Sequence, residues 1–199
     1  MTAVTPVVVP DRRPGRPRSA RADEAILEAA IDTFIDRGWD GLTIEGVAAR
    51  AGVGKSTIYR RYPCRVDLLV AAARRLAEER EPVPDTGALR SDLVELVTSF
   101  VRMLTTTRTG QAIPLMVAAT AKDPDLAAPY REFLAERRAS WRVPIDRAIR
   151  RGELPLSVDP GLLVDLLVGP LFYRACVSHE PTDAAYVEHL VDAALRAVA

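Results

Sequence analysis

The sequence predicts an all-α protein of about nine helices, and three observations point to this fold class. Apolar residues recur every three or four positions in successive segments, which is the period of an amphipathic helix. No segment alternates apolar and polar residues as a half-buried strand does. Glycine and proline clusters separate the periodic segments, and a chain of 199 residues is long enough to bury a hydrophobic core.

A glycine separates the first two predicted helices. The first begins near Asp23 and ends at Gly38, a residue type that commonly follows a helix C-terminus. Thr43 is a suitable N-cap for the second, which the turn at residues 52–54 ends. Their apolar faces consist of Leu27, Ile31, Phe34 and Ile35 in the first helix and Ile44, Val47, Ala48 and Ala51 in the second.

The third and fourth helices are predicted at Lys55 to Tyr62 and at about Arg65 to Glu81. Pro63 stops the third helix, because proline lacks the backbone N–H that a helix interior requires. The turn cluster at residues 82–87 then divides the chain. The apolar stripe of the fourth helix consists of Leu68, Leu69, Ala72 and Leu76.

Five more helices are predicted after this turn. They lie near Leu89–Thr106, Ile113–Ala121, Pro124–Arg151, Asp159–Ser178 and Thr182–Val198. Asp123 and Pro124 fit the N-cap and first position of the third of these. Pro129 and Pro144 lie inside the same segment, and each is able to kink or break it.

Positive charge is concentrated in two segments, although the whole chain is neutral with 27 basic and 27 acidic residues. Residues 12–21 contain five arginines and no acid, and residues 46–66 contain five cations and no acid. Nucleic acid is attracted by such local positive fields rather than by net charge. The alternative interpretation is a solvated helix face next to a flexible tail.

Two short helices joined by a glycine turn, the second of them basic, are typical of a helix-turn-helix. The second helix has to present small polar or basic side chains to a major groove roughly 12 Å wide. Val53 and Ile58 are predicted to face the core. The residues predicted to face outward are Lys55, Ser56, Thr57, Tyr59 and Arg60. The alternative, a packed pair of bundle helices, leaves the cluster of cations unexplained.

Residues 52–57 also match the end of the phosphate-binding motif G-x-x-x-x-G-K-[ST]. That motif requires a glycine where Ala49 stands and a buried strand before it, and neither is predicted. His179 and His189 have no ligand at metal spacing, and the two cysteines form no cluster. We therefore expect no enzyme activity, no catalytic residue, no metal and no cofactor.

No segment is predicted to enter a membrane. The longest apolar stretch, Gly161–Tyr173, is interrupted by Asp165 and is shorter than a bilayer requires. The valines at residues 7–9 lack the preceding basic residue of a signal peptide. These observations predict a soluble, cytoplasmic protein.

Residues from about 22 to 70 resemble the DNA-binding domain of TetR-type transcriptional regulators. The matching stretches are Gly38-Trp39-Asp40-Gly41-Leu42-Thr43-Ile44-Glu45-Gly46-Val47-Ala48, then Ala51 to Pro63, then Asp67-Leu68-Leu69. The chain departs from the family at Gly54 and Cys64, where the family usually has serine and a capping Ser or Asn. Arg60 and Arg61 also replace a common His-Tyr pair.

The resemblance implies DNA contacts at particular positions. Thr43, Tyr59 and Arg65 would contact phosphates, and the side chains approaching the bases would be Lys55, Ser56, Thr57 and Arg60. The basic segments add Arg61, Arg16 and Arg18 as expected DNA-binding residues. The resemblance further implies a ligand-released repressor that binds a pseudo-palindromic double-stranded operator as a homodimer.

A dimer is also predicted from the residues themselves. The segment Gly161–Ser178 is apolar almost all round, so it has to be covered on two sides. One side can pack within its own domain, and a second copy is the natural cover for the other. The predicted interface residues are Leu162, Leu166, Phe172, Tyr186, Leu190 and Val191.

The residues between the turn cluster and this segment predict a pocket for a lipophilic effector. Methionine and aromatic side chains can line adaptable apolar pockets. The expected lining consists of Phe100, Met103, Leu104, Met116, Tyr130, Phe133 and Trp141. The alternative is that these side chains fill the core.

The sequence thus divides into a flexible basic arm at 1–21, a helix-turn-helix domain at 22–68 and a ligand-binding and dimerisation domain at 69–199. One rival function is an all-α interaction protein whose basic helices bind an acidic protein. A second rival is an enzyme that uses the nucleotide-like loop.

Overall fold

The computed structural model describes residues 18–77 and 82–198, and all regular structure within them is helical. The nine α-helices are α1 (Arg18–Gly41), α2 (Ile44–Ala51), α3 (Lys55–Tyr59), α4 (Arg65–Leu76), α5 (Leu89–Thr106), α6 (Arg108–Lys122), α7 (Pro124–Arg151), α8 (Pro160–Tyr173) and α9 (Ala184–Val198). A π-helical turn, Arg174–Ser178, continues α8. The predicted all-α fold is confirmed.

Local sequence signals set the first boundaries. Gly38 interrupts α1 with φ +66°, and Gly52 ends α2 with the same value, a backbone conformation that favours glycine. The Thr43 side chain accepts a hydrogen bond from the backbone N–H of Gly46, as predicted for an N-cap. Gly54 and Cys64 begin α3 and α4 without such a side-chain cap.

Several boundaries differ from the predicted ones. The helix α1 begins at Arg18, so residues 18–21, predicted as part of the flexible arm, form its first turn. The rest of the predicted arm lies outside the described residues. The helix α3 ends at Tyr59 rather than Tyr62, and α4 ends at Leu76, before the undescribed residues 78–81. The helix α6 begins at Arg108 because Thr107 caps it, a signal that apolar periodicity does not contain.

The long helix α7 is continuous through both of its internal prolines, Pro129 and Pro144. Its N-terminus is fixed as predicted, since the Asp123 side chain accepts a hydrogen bond from the N–H of Asp125. Pro144 is buried against neighbouring helices. Packing therefore holds a helix that loses a backbone hydrogen bond at each proline.

Buried side chains form two hydrophobic cores. The first joins α1–α4 to α6 and the N-terminal half of α7, and Met116 and Tyr130 belong to it. The second joins α5, the C-terminal half of α7, α8 and α9. The helix α7 runs through both, so the N-terminal helices share a core with part of the C-terminal segment.

The segment Pro160–Ser178, α8 with the π-helical turn, is long and apolar enough to cross a membrane by length and composition, with mean hydropathy 1.5. The stretch predicted as too short, Gly161–Tyr173, is part of this longer helical segment, and the core helix of a soluble protein meets the same criteria of length and composition. In the part of the chain described, it is the only such segment. One face of it packs in the second core through Leu163, Val164, Leu167 and Leu171.

Candidate functional site

The helices α2 and α3 and the turn between them form a helix-turn-helix whose second helix is exposed on one side. Ile58 is fully buried in the first core, and Val53 packs against the same core. These two contacts turn the opposite face of α3 to solvent. Ser56 and Arg60 are exposed there, and 48% of the Tyr59 surface is accessible.

Contacts to α1 fix the end of α3. The Tyr62 hydroxyl donates a hydrogen bond of 2.9 Å to Oδ1 of Asp23, and the Arg61 guanidinium lies 3.3 Å from the same oxygen. Burial, followed by the hydrogen bond to Asp23, raises the pKa of Tyr62 to about 12. Tyr62 therefore stays protonated and keeps donating at neutral pH, which holds α3 in place on α1.

The predicted DNA contacts on α2 and α3 differ in exposure and in whether their polar atoms already have a partner within the protein. Ser56, Tyr59 and Arg60 lie on the exposed face, and Thr57 is half-buried beside them. Lys55 is exposed but forms an ion pair of 3.0 Å with Glu45, which lowers the pKa of that carboxyl through their hydrogen bond. Thr43 is exposed at the N-terminus of α2, with its hydroxyl oxygen used in the cap.

Four of the five cations in residues 46–66 have acidic partners from outside that segment, so the absence of nearby acids in the sequence did not mean unpaired charge. Their ion pairs are Arg50 with Asp36 and Asp32, Lys55 with Glu45, Arg61 with Asp23, and Arg65 with Asp123. Arg60 forms no ion pair with any residue that the structure describes. It is therefore the cation of this segment that is available to DNA without loss of an intramolecular ion pair.

The guanidinium groups of Arg61 and Arg65 both contact other parts of the protein. Only 19% of the Arg61 side chain is accessible, because its guanidinium is turned inward to Asp23. The Arg65 guanidinium lies 4.0 Å from the centre of the Trp39 ring and 3.2 Å from Oδ2 of Asp123. Arg65 thus joins the start of α4 to the start of α7, and a contact from Arg65 to a phosphate would compete with this ion pair.

Two arginines of the predicted arm, Arg16 and Arg18, were also expected to contact DNA. Arg16 lies outside the described residues. Arg18 is the first residue of α1 rather than part of a flexible arm.

A cavity of about 1210 Å³ lies between the two cores, and residues of α1 and of α4–α8 line it. Five of the seven predicted pocket residues line it, namely Phe100, Met103, Tyr130, Phe133 and Trp141. The prediction was wrong for the other two, because Leu104 is packed in the second core and Met116 in the first. Phe100 contacts Trp141 edge to face at 5.2 Å.

The loop before α5 closes one side of this cavity, which sequence analysis did not predict. Residues 82–85 line the cavity, and Arg147 holds them by donating a 2.8 Å hydrogen bond to the Pro84 carbonyl. Asp92 is fully buried, and its Oδ1 accepts hydrogen bonds from the N–H and hydroxyl of Thr86 at 2.6 and 2.7 Å. An acidic residue in an amphipathic helix gives no signal of such a role.

The outer face of α8 and of the π-helical turn that continues it is apolar and exposed. Leu162, Tyr173 and Val177 are 50, 57 and 59% accessible, and Leu166 is half-buried between them. Tyr173 and Val177 were not among the residues predicted from the sequence for this face. Two residues predicted at this interface lie elsewhere, since Val191 is fully buried in the second core and Phe172 lines the cavity. The two other predicted interface residues, Tyr186 and Leu190, are half-buried on α9.

Among the described residues, no group of three or more His, Cys, Asp or Glu side chains is placed to hold a metal ion. Arg174, which interrupts the apolar segment, has a structural role. Its guanidinium pairs with Glu180 at 2.6 Å and stacks 3.8 Å from the centre of the Tyr186 ring, which fixes the turn into α9.

Comparison with known proteins agrees with this architecture. Residues 26–72 match the family described as bacterial regulatory proteins, tetR family, and residues 83–194 match the tetracyclin repressor-like C-terminal domain. The first match contains the helix-turn-helix, and the second contains α5–α8 and most of α9.

Similar proteins match the chain over almost its full length. It is 35% identical over 185 residues to the uncharacterised HTH-type transcriptional regulator YdeS of Bacillus subtilis, which covers 92% of this chain and 93% of YdeS. It is 33% identical over 180 residues to the DNA-binding transcriptional repressor TetR of Mycobacteroides abscessus, covering 89 and 92% of the two chains.

A solved structure is similar as well. The TetR family transcription regulator SCO0332 superposes with a TM-score of 0.73 at 32% identity, over 90% of this chain and 99% of SCO0332. The family matches cover both halves of the fold, and the full-length relatives are transcription regulators. The chain belongs to the TetR family of DNA-binding transcriptional regulators.

Proposed function

We propose that the protein is a homodimeric repressor that binds a pseudo-palindromic operator in the cytoplasm and is released by a small molecule. This proposal rests on one observation, which is that a single chain exposes two different surfaces. A polar and basic face on α3 suits a major groove, and an apolar face on α8 suits a second copy.

The exposed side of α3 supports sequence-specific DNA binding. A DNA-reading helix requires side chains that hydrogen-bond base edges, and Arg60 and Ser56 supply donors on that side. Lys55 and Tyr59 lie on the same helix, and Thr43 lies at the N-terminus of α2. Lys55 approaches the bases, and contacts of Tyr59 and Thr43 to the phosphate backbone fix the position of the helix without reading sequence.

The outer face of α8 supports a two-fold dimer. Its apolar stripe consists of Leu162, Leu166, Gly169, Tyr173 and Val177, spaced three, four or seven residues apart along one side. A Cβ atom added at Gly169 would meet nothing within 4 Å, so the middle of the stripe leaves room for a close partner helix. Tyr186 and Leu190 on α9 extend the surface, and two copies of this pair form a four-helix interface.

The cavity supports control by a small molecule. It exceeds the usual range of roughly 300–1,000 Å³ for ligand pockets, with a volume of about 1210 Å³ between the core that contains the helix-turn-helix and the core that contains α8 and α9. A ligand releases DNA only if it binds the DNA-incompetent conformation more tightly. Repression is consistent with the name of the Mycobacteroides abscessus relative.

The dimer proposal is tested by placing a charge on the α8 face. Leu162→Glu is suited to this, because Leu162 is 50% accessible and the substitution need not disturb the core. We expect a monomer in sedimentation velocity and at least about a tenfold loss of affinity for a duplex recovered from a random pool. Leu156→Glu is the matched control, since Leu156 is 90% accessible and lies outside the stripe.

A Leu162→Glu protein that remains dimeric, or that binds the duplex with unchanged affinity as a monomer, contradicts the proposed interface. Leu166→Glu adds a stronger perturbation at the half-buried centre of the stripe. Far-UV circular dichroism of each variant verifies that helix content is unchanged.

A further inference from the structure

We infer that the cavity binds an apolar molecule that carries one anionic, hydrogen-bond-accepting head group, with Tyr130 and Arg137 as the donors that hold this group. The inference rests on the proposed function and narrows the chemical class of its effector. It follows from two hydrogen-bond donors, one buried and one half-buried, on the wall of the cavity.

Tyr130 is the first of these groups. The residue is 7% accessible and lines the cavity, and its hydroxyl has no hydrogen-bond partner among the described residues. Burial raises its pKa, so the hydroxyl carries its proton at neutral pH and is able to donate. The hydroxyl of a tyrosine that is buried to this degree usually has a hydrogen-bond partner. A ligand acceptor in the cavity supplies one.

Arg137 is the second hydrogen-bond donor on the cavity wall. It lies seven residues after Tyr130 on the same helix, half-buried on the cavity wall. One guanidinium nitrogen donates a 3.0 Å hydrogen bond to the Ala77 carbonyl, and the group forms no ion pair within the described part of the chain. A guanidinium has five N–H donors and no acceptor, so most of its donors remain available to a ligand.

Several other polar groups on the wall are already used within the protein. The Ser140 hydroxyl donates to the Arg137 carbonyl, and the Thr107 hydroxyl donates to the Met103 carbonyl. Three arginines at the rim are paired with acids outside the lining: Arg75 with Glu24, Arg108 with Asp32, and Arg138 with Asp165. Glu28 and Glu95 also border the cavity, but both are exposed to solvent.

Both donors lie beside one aromatic ring. The Phe133 ring is stacked 6.1 Å from the Tyr130 ring, and the Arg137 guanidinium lies 6.0 Å from the centre of the Phe133 ring. Trp141 follows one turn later and meets Phe100 across the cavity. This face of α7 is therefore an apolar surface, with two hydrogen-bond donors in the first half of the helix. Both donors favour an acceptor, and the guanidinium charge favours an anion over a neutral group or a cation.

The test compares probes that share one chain and differ in head group. Decanoate, decanol and decylammonium are titrated into the full-length protein by isothermal calorimetry, with a naphthoate and the corresponding naphthylmethanol as aromatic counterparts. We expect saturable binding of the carboxylates, about tenfold or more tighter than the matching alcohols. Decylammonium is expected to bind more weakly than decanol.

Variants then assign the donors. Arg137→Gln is expected to reduce the preference for decanoate over decanol to near unity while decanol affinity is retained. Tyr130→Phe, which removes only the hydroxyl, is expected to weaken decanoate about two- to tenfold. Arg131→Gln is the matched control, because Arg131 is an exposed arginine on the same helix that does not line the cavity.

The inference is overturned if decanoate does not bind, if decylammonium binds more tightly than decanoate, or if Arg137→Gln leaves the ratio of decanoate to decanol affinity unchanged. Duplex binding and sedimentation of the same samples separate this failure from that of the proposed function. If the protein still binds DNA as a dimer but does not prefer the carboxylates, the inferred ligand class is wrong and the proposed function stands.

Discussion

At the scale of single residues, intramolecular ion pairs decide which basic side chains are available for DNA. The segment from 46 to 66 contains five cations, yet only Arg60 remains without an acidic partner among the described residues. The sequence predicts the basic segment but does not predict which of its cations are paired. The acids that pair with Arg61 and Arg65 lie 38 and 58 residues away in the chain, and only the fold brings them together.

Arg60→Ala and Arg61→Ala should therefore have different effects. Loss of a base contact narrows the difference in binding free energy between operator and random duplex, by about 1–3 kcal/mol for Arg60→Ala. Arg61→Ala removes a half-buried contact to Asp23 and should mainly lower the free energy of unfolding. Fluorescence anisotropy at matched salt and urea denaturation measure the two quantities.

If Arg60→Ala weakens binding to all duplexes equally, Arg60 contacts phosphates rather than bases. If Arg61→Ala narrows the difference between operator and random duplex as much as Arg60→Ala does, the assignment of Arg61 as a structural residue is wrong.

At the scale of elements, capping and periodicity predicted most helices, but close approaches between helices were not predictable. Asp123 and Thr43 act as the expected caps, and α5 has its predicted bounds. The start of α6 was missed, since residues 108–112 lack an apolar period and Thr107 alone signals the cap. Periodicity describes one helix at a time and contains no information on how near another backbone lies.

Gly110 marks such a close approach. A Cβ atom placed there would lie 2.0 Å from the Leu104 carbonyl oxygen at the end of α5. Alanine normally stabilises a helix relative to glycine. In this position we expect Gly110→Ala to lower the free energy of unfolding by about 1–3 kcal/mol, because the backbone has to shift.

Thermal and urea denaturation measure this effect. Gln111→Ala, on the exposed side of the same turn, is the control and is expected to change stability by less than about 0.5 kcal/mol. A Gly110→Ala protein as stable as the wild type contradicts the close packing of α5 on α6.

At the scale of the whole molecule, the helix-turn-helix is joined to the rest by a shared core and by ion pairs. Asp40 pairs with Lys122 at 2.6 Å, and Arg65 pairs with Asp123. The hydrogen bond from Lys122 lowers the pKa of the Asp40 carboxyl, which keeps this pair charged. The sequence did not predict this junction, because its recognisable motif stops near residue 70 while the first core extends to α6 and α7.

This junction predicts cooperative unfolding. Trp39 belongs to the first core and Trp141 to the second, so Trp141→Phe and Trp39→Phe leave one reporter in each. We expect the fluorescence midpoint of each variant in urea to coincide with its own midpoint by far-UV circular dichroism. Separate midpoints would mean that the two cores unfold independently, despite the continuous α7.

Recognition of DNA by a two-fold dimer is tested by selecting duplexes from a random pool with the full-length protein. Sedimentation of the complex with the selected duplex then gives the number of bound protomers. The structure predicts enrichment of a pseudo-palindrome whose half-sites are about one helical turn apart or a multiple of it, bound by two protomers or a multiple of two. Enrichment of no sequence, or of an asymmetric site bound by a single protomer, would contradict it.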